Sequence, residues 1–167
     1  VTDTGQAIEL YLLRHADAGD PSAWSGDDAA RPLSPKGIRQ SERLAAFLAG
    51  RGLAPDAVIS SPRVRALETA RIVADRLGVT VQTDRRLASV IRTADVDAIL
   101  RDAGYPARPI LVGHDPDFSE LLASLSGASG VSMKKGALAR LDVKGAVAAG
   151  RATLRWLIPP DALASRG

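Results

Sequence analysis

The sequence predicts an α/β fold: a three-layer α/β/α sandwich around a mostly parallel sheet with an antiparallel edge. Three observations carry this. Ile8, Leu10, Tyr11, Leu12 and Leu13, and later Pro109 to Gly113, are apolar runs of the kind found in strands buried on both faces. Between such runs lie segments whose apolar residues recur at helical spacing. From Ala137 the pattern changes to two neighbouring strands joined by a Gly-containing turn, as an antiparallel edge requires. At 167 residues the chain fits a single domain, 1–167, large enough to bury roughly two-thirds of its unfolded surface.

In order, the first strand ends abruptly at Arg14-His15 and gives way to a loop, Ala16 to Arg31, rich in Asp, Gly, Ser and Ala, with Trp24 at its middle. Ser34-Pro35 supplies an N-cap followed by proline at the first helical position, and Ser41, Leu44, Ala45 and Leu48 continue the helix to Gly50 or Gly52. Asp56 to Ser60 reads as the second strand. Ser61-Pro62 repeats the capping device, and Ala66, Ala70, Val73 and Leu77 form the stripe of a helix stopped by Gly78. Val79 to Gln82 is a short third strand. One helix, with Val96, Ile99, Leu100 and Ala103 on one face, fills the segment from Thr83 to Tyr105. The Pro109 strand leads to His114, and Asp115-Pro116 opens a helix that buries Phe118, Leu121, Leu122 and Leu125. Leu138 to Val143 and Ala152 to Leu157 are the closing strands. Residues 158–167 are expected to be a loose tail.

Composition narrows the function. The formal charge of +3 comes mostly from arginines spread along the chain, without the basic-aromatic clusters of a nucleic-acid reader. The absence of cysteine removes disulfides, thiolate metal sites and a cysteine nucleophile. No apolar run has the roughly 18 residues of a membrane helix, and the first six residues lack the basic flank and apolar core of a signal peptide. The expectation is a cytoplasmic protein without membrane or nucleic-acid partners.

The chain's two histidines, His15 and His114, each follow a buried strand. In open α/β sheets ligands lie beyond the carboxyl ends of strands, where helix N-termini also present free N–H groups and partial positive charge. Arg65, one turn into the second helix, is expected near Arg14. Arginine's planar fork matches phosphate oxygens, so two or three arginines around two histidines suggest a phosphoryl-transfer pocket. Taken singly, a strand-end histidine is more often structural and a helix arginine a solvated charge; their convergence on one edge is what points to chemistry. Asp17, Asp115 and Asp117 flank the histidines and offer a metal site as an alternative, which the absence of ligand spacing disfavours.

Four blocks give a resemblance. Leu13-Arg14-His15-Ala16-Asp17-Ala18, Arg31-Pro32-Leu33-Ser34-Pro35-Lys36-Gly37 with Gln40, Ser61-Pro62-Arg63-Val64-Arg65-Ala66-Leu67-Glu68-Thr69-Ala70, and Val112-Gly113-His114-Asp115-Pro116 resemble, in order and spacing, the histidine phosphatase superfamily. The compact length and the Arg-His-Ala-Asp-Ala opening are similar to its SixA-type phosphohistidine phosphatases. The resemblance implies a phosphoglycerate mutase-like fold, no metal and no cofactor. It implies that His15 is the nucleophile and that Arg14, Arg65 and His114 bind the transferring phosphoryl group. Arg31 matches a further arginine near the phosphate, and Ser61, Arg85 and Arg86 are expected to bind substrate.

Two departures matter. Ala16 replaces the glycine of the usual Arg-His-Gly, and Ala88 stands where many superfamily members carry an acidic proton donor. An alkoxide leaving group needs such a donor, whereas imidazole, with a pKa of about 6.5, can depart neutral when its other nitrogen is protonated. The missing acid therefore favours a P–N substrate, unless Asp84 or Asp95 replaces it. The short 83–109 segment leaves the pocket open to a phosphorylated side chain on another protein. Asp17, Asp20, Trp24, Asp27, Asp28, Arg85, Arg86 and Arg92 are expected to border the opening. The reading is a phosphohistidine phosphatase acting on a phosphotransfer or signalling protein. The alternatives are a small-molecule phosphomonoesterase and a non-catalytic phosphate-binding regulatory domain.

Overall fold

The computed structural model describes residues 7–165. Six strands form one sheet in the order β3-β2-β4-β1-β5-β6. The strands are β1 (Ala7–Arg14), β2 (Ala57–Ser60), β3 (Val81–Thr83), β4 (Pro109–Gly113), β5 (Leu138–Lys144) and β6 (Ala152–Ile158). The first four strands in chain order run parallel, and β5 pairs antiparallel with both β1 and β6. Four helices cover the sheet: α1 (Pro35–Gly50), α2 (Val64–Leu77), α3 (Thr93–Asp102) and α4 (Asp117–Ser126).

The continuous apolar character of β1 follows from its place between two helical layers. Tyr11 and Leu13 face α1 and α2, where they join Leu44, Leu48, Val58, Ala70, Val73 and Val112. Leu10 and Leu12 face α3 and α4, with Val96, Ile99, Leu111, Phe118 and Leu122. A strand buried on both faces has no polar side to alternate with. Each apolar side chain removed from water contributes about 1.5–3 kcal/mol, so the two cores hold the central strands rigidly in place.

Register then positions the chemistry. Leu13 pairs with Val112 and Arg14 with Gly113, so the residues that follow, His15 and His114, leave adjacent parallel strands at the same edge. The His15 backbone N–H donates to Gly113 O at 3.0 Å, and the Ser61 N–H donates to Val112 O at 2.9 Å, which ties the end of β2 to the same point. Gly113 is required by packing: a Cβ there would lie 2.6 Å from two ring carbons of Phe118, which is fully buried.

Several local expectations are corrected. Ser34 caps α1 as read, its side chain accepting from the Gly37 N–H. Ser61 does not cap α2: the helix begins at Val64 with Arg63 at its cap, and the Ser61 hydroxyl faces His114 instead. The third strand starts at Val81 because the Val79 N–H is used in closing α2 onto Ala74 O after the left-handed Gly78. A 3₁₀ turn at Arg85–Ala88 precedes α3. Residues 158–165 are not a loose tail. Ile158 ends β6, Pro160–Leu163 forms a 3₁₀ turn, Pro160 is buried, and Leu163 packs against the core on the α1 side. Among the described residues no helix is long and apolar enough to cross a membrane.

Candidate active site

At the carboxyl edge of the sheet, Arg14, His15, Arg31, Arg65 and His114 line one cavity of about 370 Å³, together with Pro21, Arg63, Ala88, Asp115, Asp117 and Lys135. A larger cleft of about 730 Å³, lined by Glu9, Tyr11, Phe47, Arg51, Arg140 and Trp156 among others, lies toward the start of β1. Its Tyr11 hydroxyl donates to Glu9, and Arg140 pairs with Glu9 and Asp142. The edge cavity differs in leaving polar atoms unpaired.

The two imidazoles face each other with ring centroids 5.2 Å apart and planes tilted by 52°. The neighbour of His15 fixes its tautomer, and that of His114 is compatible with the same Nδ1–H form. His15 Nδ1 lies 2.7 Å from the carbonyl of Ala16, which can only accept, so Nδ1 carries the proton and Nε2 keeps its lone pair. His114 Nε2 lies 2.7 Å from Ser61 Oγ. That oxygen accepts from the Arg63 N–H and still has its own proton to give, so the contact suits a His114 whose ring proton is on Nδ1. One ring thus offers a nucleophilic nitrogen and the other an N–H donor. Burial pulls His15 down to about 4, with the Arg65 and Arg14 guanidiniums adding to the effect. Burial pulls His114 down to about 3, aided by His15 and Arg65. Both are neutral at pH 7.

Each arginine is held from its outer side. Arg14 Nη1 donates to Met133 O at 2.6 Å and lies 3.4 Å from Asp115 Oδ2. Arg65, only 6% exposed, donates Nη1 to Asp28 O at 2.9 Å and pairs Nη2 with Asp28 Oδ2 at 3.1 Å. Asp28 also takes Arg31 Nε at 2.9 Å and lies 3.8 Å from Arg63 Nη1. The guanidinium hydrogen bond from Arg31 holds the Asp28 carboxyl below its usual range, with Arg65 contributing. Among the described residues three buried side-chain nitrogens have no partner: Arg14 Nε, Arg65 Nε and His114 Nδ1. A buried donor left unpaired costs about 1–3 kcal/mol, and all three belong to residues that line this cavity, a setting that suits an anionic acceptor. Three or more His, Asp or Glu side chains arranged to hold a metal ion do not occur among the described residues.

Comparison with known proteins agrees with this geometry. Residues 10–90 match the model of the histidine phosphatase superfamily, branch 1. The chain is 35% identical over 116 residues to an uncharacterised protein of Picosynechococcus, covering 68% of this chain and 70% of that one. The chain belongs to the histidine phosphatase superfamily. Further curated relatives are longer, and the chain spans between 24% and 37% of their length. Among solved structures, the protein histidine phosphatase SixA complexed with tungstate superposes with a TM-score of 0.82 at 25% identity, covering 94% of this chain and all of that one. A phosphoglycerate mutase from Bacillus anthracis shares the fold, with a TM-score of 0.75 at 14% identity.

In this chain the remaining residues singled out from sequence fall elsewhere. Ser61 is fully buried behind His114 and does not line the cavity, so it orients an imidazole instead of meeting substrate. Arg85 lies outside the cavity wall. Arg86 is turned away, bonded to Asp84 and Asp102. The same pairing commits Asp84, and Asp95 accepts from the Arg92 N–H at the start of α3, so neither replaces the acid missing at Ala88. In the acidic loop, Asp20 and Asp27 cap 3₁₀ turns, and Asp17 accepts from Ser34. Sequence reasoning missed Arg63 and Lys135 as lining residues, and took Asp117 only as a candidate metal ligand. Arg63 and Asp117 lie within or beside the quoted blocks; Lys135 carries no local signal and is brought in by the segment before β5.

Proposed function

We propose that this chain is a phosphatase that hydrolyses phosphohistidine on a phosphotransfer or signalling protein through a covalent phospho-His15 intermediate. The observation that carries the phosphoryl site is the set of unpaired nitrogens on Arg14, Arg65 and His114 around a His15 whose Nε2 lone pair is free. In the first step Nε2 attacks phosphorus in line, the P–N bond to the substrate imidazole breaks, and that imidazole leaves neutral with the proton already on its other nitrogen. Arg14, Arg65 and the His114 Nδ1–H receive the charge that spreads over the phosphoryl oxygens. In the second step water attacks phosphorus, the P–Nε2 bond breaks, and phosphate departs.

Two features support a P–N substrate on a protein. Ala88 lines the cavity at the position where an acidic donor for an alkoxide would stand. The α3 segment is a single helix of 10 residues, too short to roof the cavity against a protein-borne side chain. The test is turnover of a phosphohistidine protein, phosphoramidate and alkyl phosphates by wild type and His15→Ala. Preference for the P–N compounds, with loss of labelled enzyme in the variant, is expected. Faster turnover of alkyl esters would favour the small-molecule phosphomonoesterase, and binding without turnover the regulatory domain.

A further inference from the structure

Hydrolysis of a phosphoenzyme requires a group that takes a proton from the attacking water, and the residues discussed so far do not provide one. The two imidazoles are unsuited: His15 carries the phosphoryl group at that stage, and His114, bonded through Nε2 to Ser61 and pulled down to about 3 by burial, is a weak base. Two carboxylates line the cavity, Asp115 and Asp117. Asp115 is occupied, accepting the Ser119 N–H at 3.1 Å and the Ser119 hydroxyl at 2.6 Å, with Arg14 at 3.4 Å. Asp28 and Asp17, close by, are committed to arginines and to Ser34.

We infer that the Asp117 carboxylate, half-buried in the cavity wall at the first turn of α4, is the base that accepts the proton of the water attacking phospho-His15. This rests on the covalent reading above. The water oxygen bonds to phosphorus, the P–Nε2 bond breaks with its electron pair returning to His15, and the water proton passes to an Asp117 oxygen. Among the described residues no hydrogen bond or ion pair engages that carboxylate, so it is free to move a proton. Burial raises its pKa, and the neighbouring carboxylates of Glu120 and Asp115 raise it further, which makes it a stronger base than an exposed aspartate. The other charged groups facing it across the cavity are Arg14, Arg31, Arg63, Arg65 and Lys135, with neutral His15 and His114. The step needs no acid on the leaving group, so Asp117 serves a P–N substrate despite Ala88.

The experiment follows formation and decay of labelled phospho-His15 with phosphoramidate, whose nitrogen already carries the proton with which it leaves. In Asp117→Asn the label is expected to form and then accumulate, its decay slowed by roughly 100-fold. The acid limb of the decay-rate pH profile disappears, and Asp117→Glu restores part of the rate. In Asp117→Ala, added formate is expected to speed decay, which a purely structural role at the start of α4 would not allow. Unchanged decay in Asp117→Asn, or an equal loss of formation and decay without formate rescue, overturns the assignment while leaving the covalent reading intact. Absence of label on His15 in wild type overturns both.

Discussion

Gly37, in the first turn of α1, sits directly over the backbone of the segment that follows the nucleophile. A Cβ at this position would lie 1.9 Å from Asp17 O, 2.9 Å from Asp17 C and 3.0 Å from Asp17 N. The obstruction is main chain, so it cannot be relieved by a side-chain rotation. For Gly37→Ala the two segments must separate by about 1 Å, a displacement of the overpacking kind that costs about 1–3 kcal/mol. At 2–4 °C per kcal/mol for a domain of this size, the midpoint of thermal unfolding should fall by roughly 2–12 °C. The Asp17 segment is also bonded to α1 through the Ser34 N–H to Asp17 O and the Asp17 N–H to Gln40 Oε1. Moving it therefore moves Ala16, whose carbonyl fixes the His15 tautomer. A 1 Å misplacement of a reacting group lowers rates by about 100-fold. The assay is thermal unfolding by circular dichroism beside the rate of His15 labelling. A variant with wild-type stability and wild-type labelling would refute the claim that this contact positions the nucleophile.

Ser61→Ala removes the hydroxyl that holds His114 Nε2; leaving that buried ring nitrogen unpaired costs about 1–3 kcal/mol. This is expected to lower kcat roughly 5- to 160-fold with little change in KM, as read by steady-state turnover. Protonation should unfold the site: His15 and His114 sit at about 4 and about 3 when folded, below the ordinary 6.5, so the unfolded chain binds protons first. Their contribution to stability is complete above pH 6.5 and is lost as pH falls toward 4 and then 3. The drop in Tm over that interval should be smaller in a His15→Asn/His114→Asn double variant. Deleting residues 159–167 exposes the surface that Pro160 and Leu163 cover and should cost about 1–3 kcal/mol, measured by urea unfolding. No change in the midpoint would restore the loose-tail expectation.

Much was legible in the chain itself because it rests on local rules. Apolar runs and helical spacing located β1, β4 and all four helices, and Ser34-Pro35 marked the start of α1, since caps and burial patterns are written in neighbouring residues. The gathering of Arg14, His15, Arg65 and His114 was readable because each lies at or within a few residues of the end of a parallel strand, and parallel strands end on one edge. The setting of Arg86 was not legible for the opposite reason. Its proximity to the site in sequence carried no information about Asp84 and Asp102, which turn it aside.

Sequence by itself determined the elements, the edge at which chemistry occurs and the residue types gathered there, because these follow from periodicity and strand direction. Only the tertiary structure decided which groups are free to act. Ser61 as the partner of His114, Asp28 as the anchor of three arginines, the contact beneath Gly37 and the uncommitted carboxylate of Asp117 all depend on side chains meeting across separate elements. A hydrogen bond or a steric contact acts over about 3 Å, and no local pattern in the chain specifies distances of that size between distant residues.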